Sequence, residues 1–319
     1  MKKISIVVPC YNEEANVSLM YEAIVNLFKN ELKKYKYEIL FIDNKSKDNT
    51  RYEIRQICKK DKNVLAIFNI KNFGQFNSPY YALLQTSGDC TISIAADFQE
   101  PVELIPEFVK YWEQGYKIVC GVKSKSEEPE IIYELRKLGY KVIKKLSEVD
   151  HIENFTGFGL YDKEFINILK DLKEPLPYFR GMVAELGYNI KTVEFKQKRR
   201  KHGISSNNVM SILDAGMIGL TTYAKKEMHI AALFGLGISF LSIFIAFIYF
   251  LYKLLHWYTF DAGVAPIVIG IFFLGGIQIF LISLIGEYII NMNQRIINRP
   301  LVIEEERINF SKKNSKKTK

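Results

Sequence analysis

The sequence predicts an α/β domain with a mainly parallel sheet, followed by two transmembrane helices. Over the first 122 residues, short apolar runs alternate with amphipathic stretches, a pattern typical of a parallel sheet covered by helices on both faces. Two later runs, 230–252 and 262–286, contain no Asp, Glu, Lys or Arg. Each is long enough to cross about 30 Å of hydrocarbon as a helix.

The predicted strands and helices follow one another with short connections. Strands are predicted at 4–8, 37–43, 64–69, 90–96 and 116–122, and helices at 14–34, 48–60, 76–87 and 102–114. Ligands of such sheets bind beyond the carboxyl ends of the strands, a rule that selects the polar segments 9–13, 43–48 and 97–101. Each alone could be an ordinary turn or helix cap, but three at one edge favour a binding site.

The chain is predicted to divide into a catalytic domain and a membrane region. We expect the domain to occupy 1–205, an interfacial amphipathic segment 206–229, two spans with a short external loop 230–290, and a basic tail 291–319. The basic residues flanking the spans on one side are Lys225, Lys226, Arg295 and Arg299. By the positive-inside rule, the catalytic domain and both termini are therefore expected on the cytoplasmic side of a bilayer.

Charge and residue usage narrow the class of partner. The net charge of +9 suits anionic lipid, phosphorylated substrates or nucleic acid, but an acidic rim at the strand ends repels phosphates unless a metal intervenes. We therefore expect no nucleic acid partner. The four cysteines are widely spaced and indicate reduced core residues, and the four histidines show no zinc-ligand spacing. The chain has neither a G-x-G-x-x-G fingerprint nor a P-loop.

Several motifs resemble those of family 2 glycosyltransferases, which have a GT-A (Rossmann-like) fold. They are VVPCYNEEANV (7–17), ILFIDNKSKDNT (39–50) and AADFQEP (95–101). NFTGFGLYDKEF (154–165), KRRKHGISSN (198–207) and the two C-terminal spans are similar to polyprenyl-phosphate glycosyltransferases. That group includes bactoprenol glucosyltransferases and, more remotely, dolichol-phosphate mannose synthases. The resemblance implies inverting transfer of one sugar from a nucleotide diphosphate sugar, such as UDP-glucose or a related UDP-hexose, to polyprenyl (undecaprenyl) phosphate.

The resemblance also implies roles for particular residues. The donor nucleotide would be bound by Pro9, Tyr11, Asn12, Glu13, Asp43, Asp97, Phe98 and Gln99. Asp97 and Gln99 would hold a Mg²⁺ or Mn²⁺ ion on the diphosphate, with one carboxylate and one neutral amide as ligands. The acceptor phosphate would be bound by Lys123, Lys125, Arg180 and Arg200. Asp97 and Arg200 are the residues expected to be catalytic.

One motif departs from the family in a way that bears on the acceptor. Many relatives read Gly-Asp-Phe-Arg, with the aspartate proposed as a base, where this chain has Thr-Gly-Phe-Gly at 156–159. Asp162 and Glu185 are weak substitutes. A hydroxyl acceptor needs a base, whereas a phosphate monoester, with a second pKa of about 6, is already anionic at neutral pH. The departure therefore favours a lipid phosphate.

Other interpretations stay open at the level of sequence. A non-prenyl lipid or a glycan hydroxyl is the alternative acceptor. A non-enzymatic, membrane-tethered phosphate-binding protein would explain the positive charge but not the acidic rim. Assembly as a homo-oligomer is also left open.

Overall fold

The computed structural model describes most of the predicted N-terminal domain and parts of the C-terminal region. The described residues are 1–124, 152–175, 177–186, 189–198, 244, 248, 251, 255, 264–297 and 299–310. The first predicted span lies almost entirely outside them, as do the predicted interfacial segment and the lysine-rich end of the chain.

One mixed sheet of eight strands organises the domain, in the order β7-β5-β6-β4-β1-β2-β3-β8. The strands are β1 (Lys3–Cys10), β2 (Lys36–Asp43), β3 (Val64–Asn69), β4 (Cys90–Ser93), β5 (Ile118–Lys123), β6 (Phe155–Asp162), β7 (Ile190–Phe195) and β8 (Glu304–Ile308). Strands β1 to β4 run parallel, β5 is parallel to β7, and the pairs β4–β6, β5–β6 and β3–β8 are antiparallel. The predicted α/β class and the five predicted strands are confirmed, although β4 ends earlier than expected.

Helices cover both faces of the sheet, and a further long helix precedes β8. Those on the faces are α1 (Glu14–Asn30), α2 (Thr50–Lys60), α3 (Gly74–Gln85), α4 (Ile105–Glu113), α5 (Lys163–Leu172) and α6 (Phe179–Glu185), with a 3₁₀ turn at Val102–Leu104, and the long helix is α7 (Val264–Ile297). The first four match the four predicted helices to within a few residues. Among the residues that the structure describes, no helix is both long enough and apolar enough to cross a membrane.

Side chains alternate across β1 and feed two apolar cores. Ile4, Ile6 and Val8 pack with α1, α2 and α4, whereas Val7 faces the core built with α3, α5 and α6. This alternation is the period-two pattern of a strand that is buried on both faces. The four cysteines are all buried and unpaired in disulfides, as the sequence predicts.

The C-terminal region contributes a strand that the sequence analysis did not predict. β8 lies within the predicted basic tail, yet it pairs with the edge strand β3 and extends the sheet of the catalytic domain. Val302, just before it, is buried. Asn309, just after it, donates hydrogen bonds of 2.8 Å to the carbonyls of Cys58 and Val64. The sheet is therefore built from strands of the predicted N-terminal domain and one strand of the predicted tail.

Candidate active site

The loops after β1 and β2 are joined by reciprocal hydrogen bonds. The backbone N–H of Asn12 donates to Ser46 Oγ at 2.9 Å, and that of Lys47 donates to Asn12 Oδ1 at 2.8 Å. The backbone N–H of Glu13 donates to Thr50 Oγ1 at 2.7 Å. The first two polar segments predicted from the sequence therefore form one structure at the carboxyl edge of the sheet.

Asp43 ends β2 and its side chain is fully buried. Its carboxylate accepts hydrogen bonds of 3.2 Å from the backbone N–H groups of Lys45 and Ser46, and Arg51 Nε lies 3.2 Å from Oδ2. Burial raises the pKa of the Asp43 carboxyl, and these partners offset that effect only in part. A further hydrogen-bond donor close to Asp43 would therefore stabilise its ionised form.

The third polar segment follows β4 and holds Asp97 in a tight turn. Asp97 is 5% exposed, and its Oδ1 accepts a 3.2 Å hydrogen bond from the backbone N–H of Gln99. Phe98 between them has a φ of 58°, close to the φ of 57° at Asn12 and 65° at Lys45 in the other two loops. Non-glycine residues rarely adopt this left-handed conformation, and where they do they cluster at functional sites.

A cavity of about 340 Å³ opens at this edge of the sheet. Five of the predicted site residues line it: Pro9, Asp97, Gln99, Lys123 and Arg180. Residues that the sequence analysis missed complete its wall, among them Gln75, Phe76, Glu100, Phe179 and Gln197. The other predicted donor-site residues do not line the cavity. Asp43 is the last residue of β2, and the others lie in the adjoining loops: Tyr11, Asn12, Glu13 and Phe98.

The side chains that would hold a metal ion are few. Asp97 and Gln99 line the same cavity, and carboxylate and amide oxygens are ligands that hard divalent cations accept. Within the described residues, no group of three or more His, Cys, Asp or Glu side chains is arranged to hold a metal. The two residues therefore fit an ion whose other ligands come from the substrate and water.

Glu100 is a buried carboxyl in the cavity wall that sequence reasoning missed. Its Oε2 accepts a 2.8 Å hydrogen bond from the backbone N–H of Ala95, and its Oε1 accepts one of 2.8 Å from Thr156 Oγ1. Burial raises the pKa of Glu100, and the nearby Asp97 raises it further. Glu100 thus links the loop after β4 to β6. Its place directly after Gln99, beyond a strand end, is the signal that could have identified it.

Gly157 occupies the position where many relatives carry the proposed base. It lines the cavity and has a φ of 105°, so it contributes backbone but no carboxylate. Asp162 lies at the opposite end of β6, where Trp112 Nε1 donates to it at 2.7 Å and Lys117 Nζ at 3.3 Å. Neither Asp162 nor Glu185 lines the cavity.

Cationic side chains also line the cavity. Lys123 ends β5, the neighbour of the strand that carries Gly157, and Arg180 lies in the first turn of α6; both line the cavity together with Asp97 and Gln99. The remaining two predicted acceptor contacts, Lys125 and Arg200, lie outside the described residues. An acidic loop and at least two cations therefore share one space.

The sequence profile described as "Glycosyl transferase family 2" matches residues 5–170, more than half of the chain. The chain belongs to glycosyl transferase family 2. CsbB of Bacillus subtilis, a provisionally named glycosyltransferase, is 31% identical over 95% of this chain and 91% of its own length. The SfII prophage-derived bactoprenol glucosyl transferase of Shigella flexneri is 30% identical over 94% of this chain and 97% of its own length. Among solved structures, mannosyl-3-phosphoglycerate synthase from Rubrobacter xylanophilus superposes with a TM-score of 0.46 and 16% identity, over 68% of this chain and 71% of that chain.

Membership of this family fixes the class of the protein. It is a glycosyltransferase with an α/β fold, and the mixed sheet with its polar carboxyl edge agrees with the GT-A architecture expected of the family. The predicted family and enzyme class are confirmed, so the non-enzymatic alternative is set aside.

Proposed function

We propose that this glycosyltransferase moves one sugar from a nucleotide diphosphate sugar, of the UDP-hexose type, to the phosphate of undecaprenyl phosphate, with inversion. One observation carries the proposal: a single cavity is lined by Asp97 and Gln99 and also by Lys123 and Arg180, with Gly157 where a base would stand. Relatives named bactoprenol glucosyl transferase, similar over nearly the whole chain, support a polyprenyl phosphate acceptor.

The donor would bind across the loops at the carboxyl edge. Asp43, held by backbone N–H groups, would accept a hydrogen bond from the nucleotide. The neighbouring loop with Tyr11 and Glu13 would also contact the nucleotide. Asp97 and Gln99 would hold Mg²⁺ or Mn²⁺, which when bound neutralises the charge that develops on the departing diphosphate.

The acceptor side needs cations more than it needs a base. A lipid phosphate is already a nucleophilic anion at neutral pH, so Lys123 and Arg180 would bind it by charge-assisted hydrogen bonds and orient one oxygen toward the sugar. Arg200 and Lys125 are proposed to add to this grip. A hydroxyl acceptor would have to lose a proton, and Gly157 offers no group to take it.

Two features support a location at the cytoplasmic face of a membrane. The uncharged runs 230–252 and 262–286 have the length of spans and are flanked by basic residues. In addition, β8 runs antiparallel to β3, so that Glu304, its first residue, pairs with Asn69 at the carboxyl edge. Only residues 298–303 connect α7 to β8, so the end of α7 lies at most about 25 Å from the start of β8. If the run 262–286 spans a bilayer, the edge that carries the cavity would face it.

Product mass tests the proposal. The purified full-length protein is incubated with Mn²⁺, a panel of UDP- and GDP-sugars, and either undecaprenyl phosphate or the matched alcohol undecaprenol. We expect lipid of increased mass, by one sugar residue, with undecaprenyl phosphate and a UDP-hexose only. Transfer to undecaprenol at an equal rate, or no lipid-linked product with any donor, would overturn the proposed acceptor.

A further inference from the structure

The C-terminal strand β8 contains a bulge at the carboxyl edge of the sheet. Phe68 pairs with Glu306 and Asn69 with Glu304, so Glu305 is an extra residue without a partner on β3. Such a bulge locally changes the direction in which side chains point. The bulge lies next to the loops that follow β1 and β2, so it decides whether the Glu305 side chain can reach them.

Two consecutive side chains of β8 reach the same helix because of this bulge. Glu305 Oε2 lies 3.0 Å from Arg51 Nη2, and Glu306 Oε2 lies 2.6 Å from Arg55 Nη2. Arg51 and Arg55 are one turn apart on α2. In a regular strand, successive side chains point to opposite faces, so Glu305 would otherwise point away from α2.

Arg51 connects Glu305 to the buried carboxylate of Asp43. The Arg51 side chain is 16% exposed, its Nη2 contacts Glu305 and its Nε lies 3.2 Å from Asp43 Oδ2. The guanidinium also lies over the ring of Phe68, 5.0 Å from its centroid. The Nε contact is an ion pair without hydrogen-bond geometry, so the position of Arg51 depends on what holds its other end.

Lys45 gives Glu305 a second connection to Asp43. Its Nζ lies 2.7 Å from Glu305 Oε2, and its backbone N–H donates to Asp43 Oδ2 at 3.2 Å. Lys45 also has the left-handed φ of 65°, which is unfavourable for a side chain with a Cβ. The ion pair with Glu305 therefore anchors a residue whose backbone conformation shapes the loop around Asp43.

We propose that Glu305 is a positioning residue for the donor nucleotide. It holds Arg51 and Lys45 in the places from which they align the Asp43 carboxylate, so that the strand following the membrane region completes the nucleotide site. This inference rests on the proposed function, in which Asp43 binds the donor. Glu306, its neighbour on the same bulge, pairs with Arg55 and has no contact with Asp43, which makes it the matched control.

The test compares Glu305→Gln with Glu306→Gln in the full-length protein in detergent. Calorimetric titration with UDP in the presence of Mn²⁺, and with GDP in parallel, gives the Kd of the nucleotide. Because the ion pairs are partly exposed, we expect Glu305→Gln to raise this Kd about 3- to 10-fold and Glu306→Gln to change it less than about 2-fold. The KM for undecaprenyl phosphate should stay unchanged in both variants.

A double variant separates positioning from a general loss of strand β8. If Glu305 acts through Arg51, adding Glu305→Gln to Arg51→Gln should raise the Kd by less than it does in the wild type. The inference would be overturned if the wild type and Glu305→Gln had equal Kd values, or if Glu305→Gln and Glu306→Gln raised the Kd equally. Either result would leave the proposed function standing. If the wild type binds neither UDP nor GDP, the proposed function fails and the inference fails with it.

Discussion

At the two edges of the sheet, the pKa values of buried carboxyl groups are shifted in opposite directions. At the amino edge, Glu38 accepts hydrogen bonds from Lys3 Nζ at 2.9 Å, from Ser5 Oγ at 2.7 Å, and from both the backbone N–H and the hydroxyl of Ser87. Burial opposes its ionisation, but these bonds outweigh burial and hold the pKa of Glu38 below its usual value. Asp162, at the same edge, likewise has a lowered pKa, because bonds from Trp112 and Lys117 outweigh burial.

The carboxylates at the carboxyl edge are compensated less completely. Burial raises the pKa of Asp43 and that of Glu100, although each accepts hydrogen bonds. Carboxylates that hold the fold together are thus neutralised by the chain's own groups, whereas those beside the cavity have capacity for further positive charge. A metal ion bound with the donor would supply that charge at the carboxyl edge.

The largest effect is expected at Asp97. Asp97→Asn removes the only charged ligand proposed for the metal, so sugar transfer should fall on the order of 100-fold or more. The melting temperature should change little, because the substituted amide can still accept the bond from Gln99. Initial rates of lipid glycosylation measure the effect; transfer at the wild-type rate would leave the segment 95–101 as a polar turn only.

The next largest effect is expected on stability, where replacing Glu38 at the amino edge should cost more than replacing Glu100 at the carboxyl edge. In Glu38→Gln, the new amide group must face either Lys3 Nζ or the backbone N–H of Ser87, and both are donors. We expect a loss of roughly 1–3 kcal/mol in the free energy of unfolding. In Glu100→Gln, the amide can donate to Thr156 Oγ1 while its oxygen accepts from Ala95, so the loss should be smaller. Denaturant titration measures the free energy of unfolding of both variants. Equal losses in Glu38→Gln and Glu100→Gln would contradict the expected difference between the two edges.

Glu38 and Glu100 also differ in how their contributions to the stability of the fold change with pH. The pKa of Glu38 is lowered on folding, so its contribution is complete above the unfolded value of about 4.3 and is lost as the pH falls through the folded value. The pKa of Glu100 is raised on folding, so it destabilises the fold at higher pH, and that penalty fades as the pH falls toward about 4.3.

Melting temperatures measured from pH 7 down to pH 4 test this difference. The deficit of Glu38→Gln relative to the wild type should persist at pH 5 and shrink only toward pH 4 and below. Relative to the wild type, Glu100→Gln should become less stable as the pH falls from 7 toward about 4.3, because the penalty from the ionised Glu100 fades in the wild type. Parallel curves for the two variants would contradict the assigned directions of the pKa shifts.

The smallest effect is expected for the carboxylates that lie outside the cavity. Asp162→Asn and Glu185→Gln should each change the rate of transfer per folded molecule by less than about threefold, because neither side chain reaches the reacting groups. Single-turnover rates with undecaprenyl phosphate measure this directly. A loss of several hundredfold in either variant would require a base and would contradict the proposed mechanism.

How far the sequence predicts the molecule differs along the chain. The segment from β1 to β5 was predicted nearly throughout, because its strands are apolar, its helices amphipathic and its connections short. Three polar segments were correctly assigned to one edge because parallel strands share their carboxyl ends. β6 and β7, and the helices α5 and α6 beside them, were not predicted as elements.

Long-range structure accounts for what could not be predicted. β8 reads EEERI, a charged stretch without the alternation of a half-buried strand, and it forms through pairing with β3, more than 230 residues earlier in the chain. The partners of Glu305 and the burial of Glu100 depend on the same kind of contact. The membrane spans and the roles assigned to Lys125 and Arg200 stay predictions from the sequence.

Binding of Mn²⁺ to the full-length protein, with and without UDP, tests most directly whether the carboxyl edge is completed by a metal and the donor diphosphate. The wild type should bind UDP at least about tenfold more tightly with Mn²⁺ than without it. Asp97→Asn should lose this gain. Because Mn²⁺ and UDP associate in solution equally in both experiments, the variant also serves as the control for that association. Gln99→Asp should bind Mn²⁺ more tightly than the wild type when no nucleotide is present. An equal affinity for UDP with and without Mn²⁺ in the wild type would contradict the account.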